Sequence, residues 1–121
     1  LYYLLKEVTM WKEHHNIEIR YIYRDGENNK RKGTVIFWNP HNHSVETVME
    51  LLRGYLLHDF FFTHAEWKVP SLFFDSYDPE LDHTWHEFES AEISKKPSTE
   101  MRTIDQFIEE LGISSEHHYE S

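Results

Sequence analysis

Apolar and polar residues alternate over residues 17–24 (IEIRYIYR). Ile17, Ile19, Tyr21 and Tyr23 fall on one side, and Glu18, Arg20 and Arg24 on the other. Strict alternation is the signature of a strand with one packed and one wetted face. The stretch DGENNKRKG that follows is polar, opens on Asp25-Gly26 and closes at Gly33, which reads as a long loop. Residues 34–38 (TVIFW) then read as a second strand. The pair is expected to form an antiparallel hairpin with the basic cluster Lys30, Arg31 and Lys32 at its solvated tip. Asn39-Pro40 ends the second strand, since proline cannot continue a ladder.

The period then changes from two to near 3.6. Val45, Val48, Leu52, Tyr55 and Leu56 make one stripe, Ser44 suits the N-cap, and Glu46 lies in the first turn. A helix over residues 44–57 is expected, with Gly54 tolerated inside it. Phe60, Phe61 and Phe62 suggest a short strand. Trp67, Val69, Leu72, Phe73 and Phe74, interrupted by Pro70, suggest an irregular apolar cover. Residues 75–83 read as a loop and residues 84–93 as another strand, with His86, Phe88 and Ser90 on one face and Trp85, Glu87 and Glu89 on the other. Thr103-x-x-Gln106 is a capping box ahead of Ile104, Phe107, Ile108 and Leu111, and Gly112 is a natural stop. At the other end, Leu1, Leu4, Leu5, Val8 and Trp11 space as an amphipathic helix.

These elements predict an α+β fold. An antiparallel sheet of about three to four strands carries one main helix in the order β-β-α-β-β, with helices added at both ends. The 121 residues are expected to form a single domain. It would comprise a core over 17–93, an N-terminal helix over 1–14, a C-terminal helix over 99–112 and a frayed tail over 113–121.

Composition narrows the chemistry. The chain has no Cys, which excludes disulfides, thiol catalysis and Cys-ligated zinc. No apolar run approaches the roughly 20 residues of a membrane span. No signal peptide is visible, and a cytoplasmic protein of bacterial type is expected. The net charge of −10 is unevenly spread. Residues 1–53 hold 8 Lys+Arg against 7 Asp+Glu, whereas residues 54–121 hold 4 against 15. A non-specific nucleic-acid binder or a protein of anionic membrane surfaces would need the opposite balance. A basic partner protein suits it. The 10 His would also take up charge near pH 6.

The acidic run between Asp75 and Glu92 carries seven carboxylates and no Lys or Arg, with Trp85 and Phe88 interleaved. Carboxylates would steer a basic surface, and the aromatics would anchor it. Glu80, Asp82, Trp85, Glu87, Phe88 and Glu89 are therefore the candidate partner-binding residues. Trp85 is expected nearer the centre, and Glu80 and Asp82 at the rim. Asp82, His83 and His86 are an alternative set, because His with carboxylate can hold a divalent metal such as Zn. A strand would point His83 and His86 to opposite faces, which weakens that set. His41-Asn42-His43 reads as the turn ahead of a helix. No G-x-S-x-G elbow and no glycine-rich phosphate loop is present.

The segment YRDGENNKRKGTVIFWNP, followed by SVETVMELLR, AEWKVPSLFF and LDHTWHEFES, resembles a loose group of small bacterial proteins. They share the succession YRD-x-x-N-x-K, NP, helix and W-x-x-P-x-L. The likeness covers about residues 17–92 and implies that the flanking helices are additions. It implies no activity, cofactor or catalytic residue. The preferred expectation is thus a small non-enzymatic binding or regulatory protein without a cofactor. It would act through a protein partner, as an immunity- or antitoxin-like protein or a component of a larger assembly. The alternative is a metal-binding protein or metal-dependent hydrolase built on the His/carboxylate cluster of residues 75–92.

Overall fold

The computed structural model describes residues 15–120, with side chains over residues 15–114. The expected helix over residues 1–14 lies outside the described residues. The protein is α+β. In chain order it comprises β1 (Asn16–Arg24), β2 (Lys30–Phe37), α1 (Val45–Arg53), β3 (Phe61–Thr63), α2 (His64–Trp67), β4 (Trp85–Ser94) and α3 (Ile104–Glu120). The four strands form one antiparallel sheet in the order β2-β1-β4-β3. The element order departs from the expected β-β-α-β-β by the one-turn helix α2 between the last two strands.

The alternation in β1 places Ile17, Ile19, Tyr21 and Tyr23 in the core. Val35 and Phe37 of β2, Phe62 of β3 and Phe88 and Ala91 of β4 join them. The helices complete this cluster with Val48 and Leu52 from α1, Trp67 from α2, and Ile104, Phe107 and Leu111 from α3. Phe62 stacks on Trp67 at 4.0 Å and Phe37 on Phe107 at 4.5 Å between ring centroids, so sheet and helices meet largely through rings. The irregular segment 68–74 closes the other end with Val69 and Leu72. Its close approach explains Gly33: a Cβ there would lie 2.8 Å from Leu72 Cδ2.

Several boundaries differ from the sequence expectation, each for a physical reason. β2 begins at Lys30, not Thr34, so Lys30, Arg31 and Lys32 pair with Arg24, Tyr23 and Ile22 in place of forming a loop. A polar strand at a sheet edge has no core side to reveal it. Only residues 25–29 turn, held by Asp25 N–H to Asn29 O at 3.0 Å.

α1 starts as expected, with Ser44 Oγ accepting from Thr47 N–H at 3.1 Å. It stops at Arg53, with Gly54 as the C-cap and not an interior residue. His58 and Asp59, with φ of 53° and 66°, reverse the chain tightly into β3. The Thr103–Gln106 box forms reciprocally, at 2.9 and 3.0 Å. α3 nevertheless runs through Gly112 to Glu120, well past the expected end of residues 99–112 and into the segment read as a frayed tail. A helical glycine costs only about 1 kcal/mol, which neighbouring turns can outweigh.

β4 carries the most consequential departure. Arg20 pairs with Ser90, but Tyr21 pairs with Phe88, so Glu89 is an extra residue in a β-bulge. The bulge reverses the facing of everything after it. Ser90 therefore leaves the face of His86 and Phe88, and Ala91 takes the core position.

Asn39 supports the join between sheet and helices. Fully buried, its Nδ2 donates to His15 O and His43 O, and its Oδ1 accepts from His43 N–H. The turn ahead of α1 spans residues 39–42, closed by Asn42 N–H to Asn39 O at 3.1 Å, and His43 Nε2 lies 2.6 Å from Asp105 Oδ1 of α3. Arg102 donates to Trp67 O, Lys68 O, Glu100 and Glu110, tying the end of α2 to α3.

Candidate functional site: an acidic and aromatic cleft

The acidic run Asp75–Glu92 divides into two environments. Glu87, Glu89 and Glu92 project from β4 onto the outer face of the sheet, among the bases of β1 and β2. Arg24 Nε lies 3.0 Å from Glu87, Lys32 Nζ 3.9 Å from Glu89, and Arg20 Nη2 3.5 Å from Glu92. Their repulsion is offset by bases of neighbouring strands, although the run itself holds no Lys or Arg. Phe88 is also corrected as an exposed anchor, because the strand turns it into the core at 9% exposure. Trp85 is 39% exposed at the start of β4, beside Thr63 of the edge strand β3.

The acids of residues 75–83 stand elsewhere. Asp78 and Asp82 face Asp25 and Glu27 of the β1–β2 turn across a cleft of about 350 Å³. Tyr23, Phe74, Tyr77 and Leu81 contribute its apolar surface, and among the described residues neither Lys nor Arg lines it. Glu80 is exposed on the same loop, next to these lining residues.

Local hydrogen bonds build this loop. Asp78 N–H donates to Asp82 Oδ2 at 2.9 Å, and Glu80 N–H to Asp78 Oδ1 at 2.9 Å. Tyr77 stacks on Phe73 at 4.0 Å, and Phe73 packs edge-on against Tyr23 at 5.0 Å. Tyr23 O–H donates to His83 O at 2.9 Å, which fastens the loop to the central strand. Burial, then the nearby Asp82, Tyr77 and Asp25, raises the Tyr23 pKa, so the phenol stays neutral. Across the cleft, Asp25 accepts from Asn29 Nδ2 and from the backbone N–H groups of Glu27 and Asn29. The Asn29 side-chain bond is foremost in holding its carboxyl below the usual range, so Asp25 is ionised.

The two histidines of the run have structural partners. His83 Nδ1 accepts from Trp85 N–H at 3.1 Å, so Nε2 carries the proton donated to Arg24 O at 2.7 Å. His86 is completely buried among Tyr21, Tyr23, Phe62, His64 and Phe73. Its Nε2 accepts from Leu72 N–H at 3.0 Å, and Nδ1–H donates to Thr84 O at 3.1 Å. Desolvation lowers its pKa to about 4, which keeps the imidazole neutral. The nitrogens of His83 and His86 are thus engaged with backbone, and one carboxylate oxygen of Asp82 accepts from Asp78 N–H. Among the described residues no group of three His, Cys, Asp or Glu is arranged to hold a metal ion.

Sequence reasoning singled out Asp82 and Glu80 but missed Asp25 and Glu27. Their only local signal is the Asp-Gly turn. Their role follows from β1 and β2 placing that turn opposite a loop some 50 residues later. Chemically, the cleft offers carboxylates for charge-assisted hydrogen bonds and aromatic rings for a flat or methylene-rich cation. No helix among the described residues is long and apolar enough to cross a membrane. Comparison with protein-family models, with curated proteins and with solved structures found no match.

Proposed function

We propose that the protein is a non-enzymatic binding protein that takes a basic side chain of a protein partner into the cleft between residues 25–29 and 74–82. The observation that carries this reading is the lining itself: Asp25, Glu27, Asp78 and Asp82, with no Lys or Arg among the described residues, around Tyr23, Phe74 and Tyr77. A guanidinium or ammonium group satisfies both components, the charge through the carboxylates and the stem through the rings. Trp85 and Glu80 would extend the contact outside the cleft, Trp85 as an apolar anchor and Glu80 as a steering charge. Glu87 and Glu89, already beside Arg24 and Lys32, contribute less than the sequence suggested.

The test is amide chemical-shift mapping of the intact chain with a nona-arginine peptide at moderate salt, with nona-glutamate as the control. The proposal expects shifts concentrated at residues 23–29 and 74–82, weakened at least tenfold in affinity by Asp78→Asn with Asp82→Asn. Shifts scattered over every acidic residue, or an affinity unchanged in that variant, would overturn it.

A further inference from the structure

β2 is an edge strand, and its C-terminal half is already extended by the chain itself. Ile36 N–H donates to Thr99 Oγ1 at 2.8 Å, and Ile36 O accepts from Thr99 N–H at 2.9 Å. Two residues on, Trp38 bridges Thr103 in parallel, and its carbonyl accepts from Ile104 N–H at 2.9 Å. The edge therefore recruits extended backbone over residues 36–38, and over residues 30–34 no backbone among the described residues pairs with it.

Register fixes which groups are open. The Asp25–Asn29 bond closes the hairpin, so Arg31, Gly33, Val35 and Phe37 exchange hydrogen bonds with β1. Lys30, Lys32 and Thr34 then point their N–H and C=O groups the same way as Ile36, out of the sheet. All three are exposed, and among the described residues no backbone group bonds them from that side. Lys30 and Lys32 make this strip basic in a chain of net charge −10; the nearest carboxylate to Lys32 is Glu89, at 3.9 Å.

We propose that the free edge of β2 over Lys30–Thr34 is a strand-addition site for an acidic extended segment of a protein partner, separate from the cleft. Main-chain pairing with Lys32 and Thr34 would supply affinity. Lys30 and Lys32 would select acidic side chains at alternate positions of the incoming strand. The same lysines disfavour a second copy of this edge, because antiparallel self-pairing would bring like charges together.

Hydrogen exchange resolved by amide, on the full chain, tests the proposal with the hexapeptide Glu-Val-Glu-Val-Thr-Glu, acetylated and amidated, and its Lys-for-Glu counterpart. In the free protein the Lys32 and Thr34 amides exchange fast, while those of Gly33 and Val35 are protected. The acidic peptide at up to millimolar concentration protects Lys32 and Thr34 at least tenfold, and the basic peptide does not. Lys32→Pro removes an outward N–H without touching the β1 ladder and abolishes the effect. Lys30→Glu with Lys32→Glu, which needs no special backbone geometry, reverses the peptide preference. The proposal is overturned by unaltered exchange at millimolar peptide, by protection that persists in both variants, or by a dimer that already protects these amides without peptide.

Discussion

The two faces of the sheet use the same strands for different ends. On the inner face, Ile17, Ile19, Tyr21, Tyr23, Phe37 and Phe62 interlock with the helices, and even the polar His86 is sealed in with both nitrogens bonded. On the outer face, Arg20, Arg24, Lys32, Glu87, Glu89 and Glu92 form a lattice of exposed and half-exposed ion pairs, with Arg20 also pairing the buried Glu18. Apolar burial carries the stability, since exposed pairs contribute from nothing to about 1 kcal/mol each. The outer lattice instead removes charge from the exterior of β4. Of the acidic run, the carboxylates without an ion pair among the described residues stand on the 75–83 loop, where Asp78 and Asp82 line the cleft opposite the β1–β2 turn.

The inner face should show the largest effects. Trp67 is almost fully buried, stacked on Phe62 and edge-on to Phe107 at 5.2 Å. Trp67→Ala is expected to cost about 3–5 kcal/mol, read by urea unfolding. A loss below about 1 kcal/mol would mean that the ring contacts do not bind the helices to the sheet.

His86 makes that face sensitive to acid. Its folded pKa of about 4 lies below the ordinary 6.5, so the unfolded chain binds the extra proton between those values. Its contribution is complete above pH 6.5 and is lost as pH falls toward 4, by roughly 3 kcal/mol. Comparing stability at pH 7 and pH 4.5 checks this, together with an NMR titration of the His86 ring. A ring that titrates near 6.5 in the folded protein would contradict it.

The outer face should respond least. Arg24→Ala removes the pair with Glu87 and is expected to cost at most about 1 kcal/mol in the same unfolding assay. A cost as large as that of Trp67→Ala would erase the distinction between the faces.

How far the sequence exposes this division depends on where each signal resides. The alternation of β1, the Ser44 cap and the Thr103–Gln106 box are local, and each stands where the residues place it. Lys30–Lys32 hides a strand, because an edge can be polar on both sides and still pair through its backbone. The bulge at Glu89 depends on register against β1, which no periodicity within β4 contains. His86 is polar in sequence and buried in fact, because Leu72 N–H and Thr84 O, supplied by distant and neighbouring backbone, satisfy it. Of the site, the loop acids Glu80 and Asp82 were legible as acids, but their convergence with Asp25 and Glu27 is a product of topology.

The central claim is that a basic ligand is taken up by the cleft carboxylates and not by the ion-paired acids of the outer face. Isothermal titration of nona-arginine into two double variants at the same salt concentration tests it most directly. Asp78→Asn with Asp82→Asn removes cleft carboxylates, and Glu87→Gln with Glu89→Gln removes an equal charge from the outer face. At least tenfold weaker binding in the first variant and less than threefold in the second is the expected result. Equal losses in the two would contradict the account, because binding would then follow net charge and not the cleft.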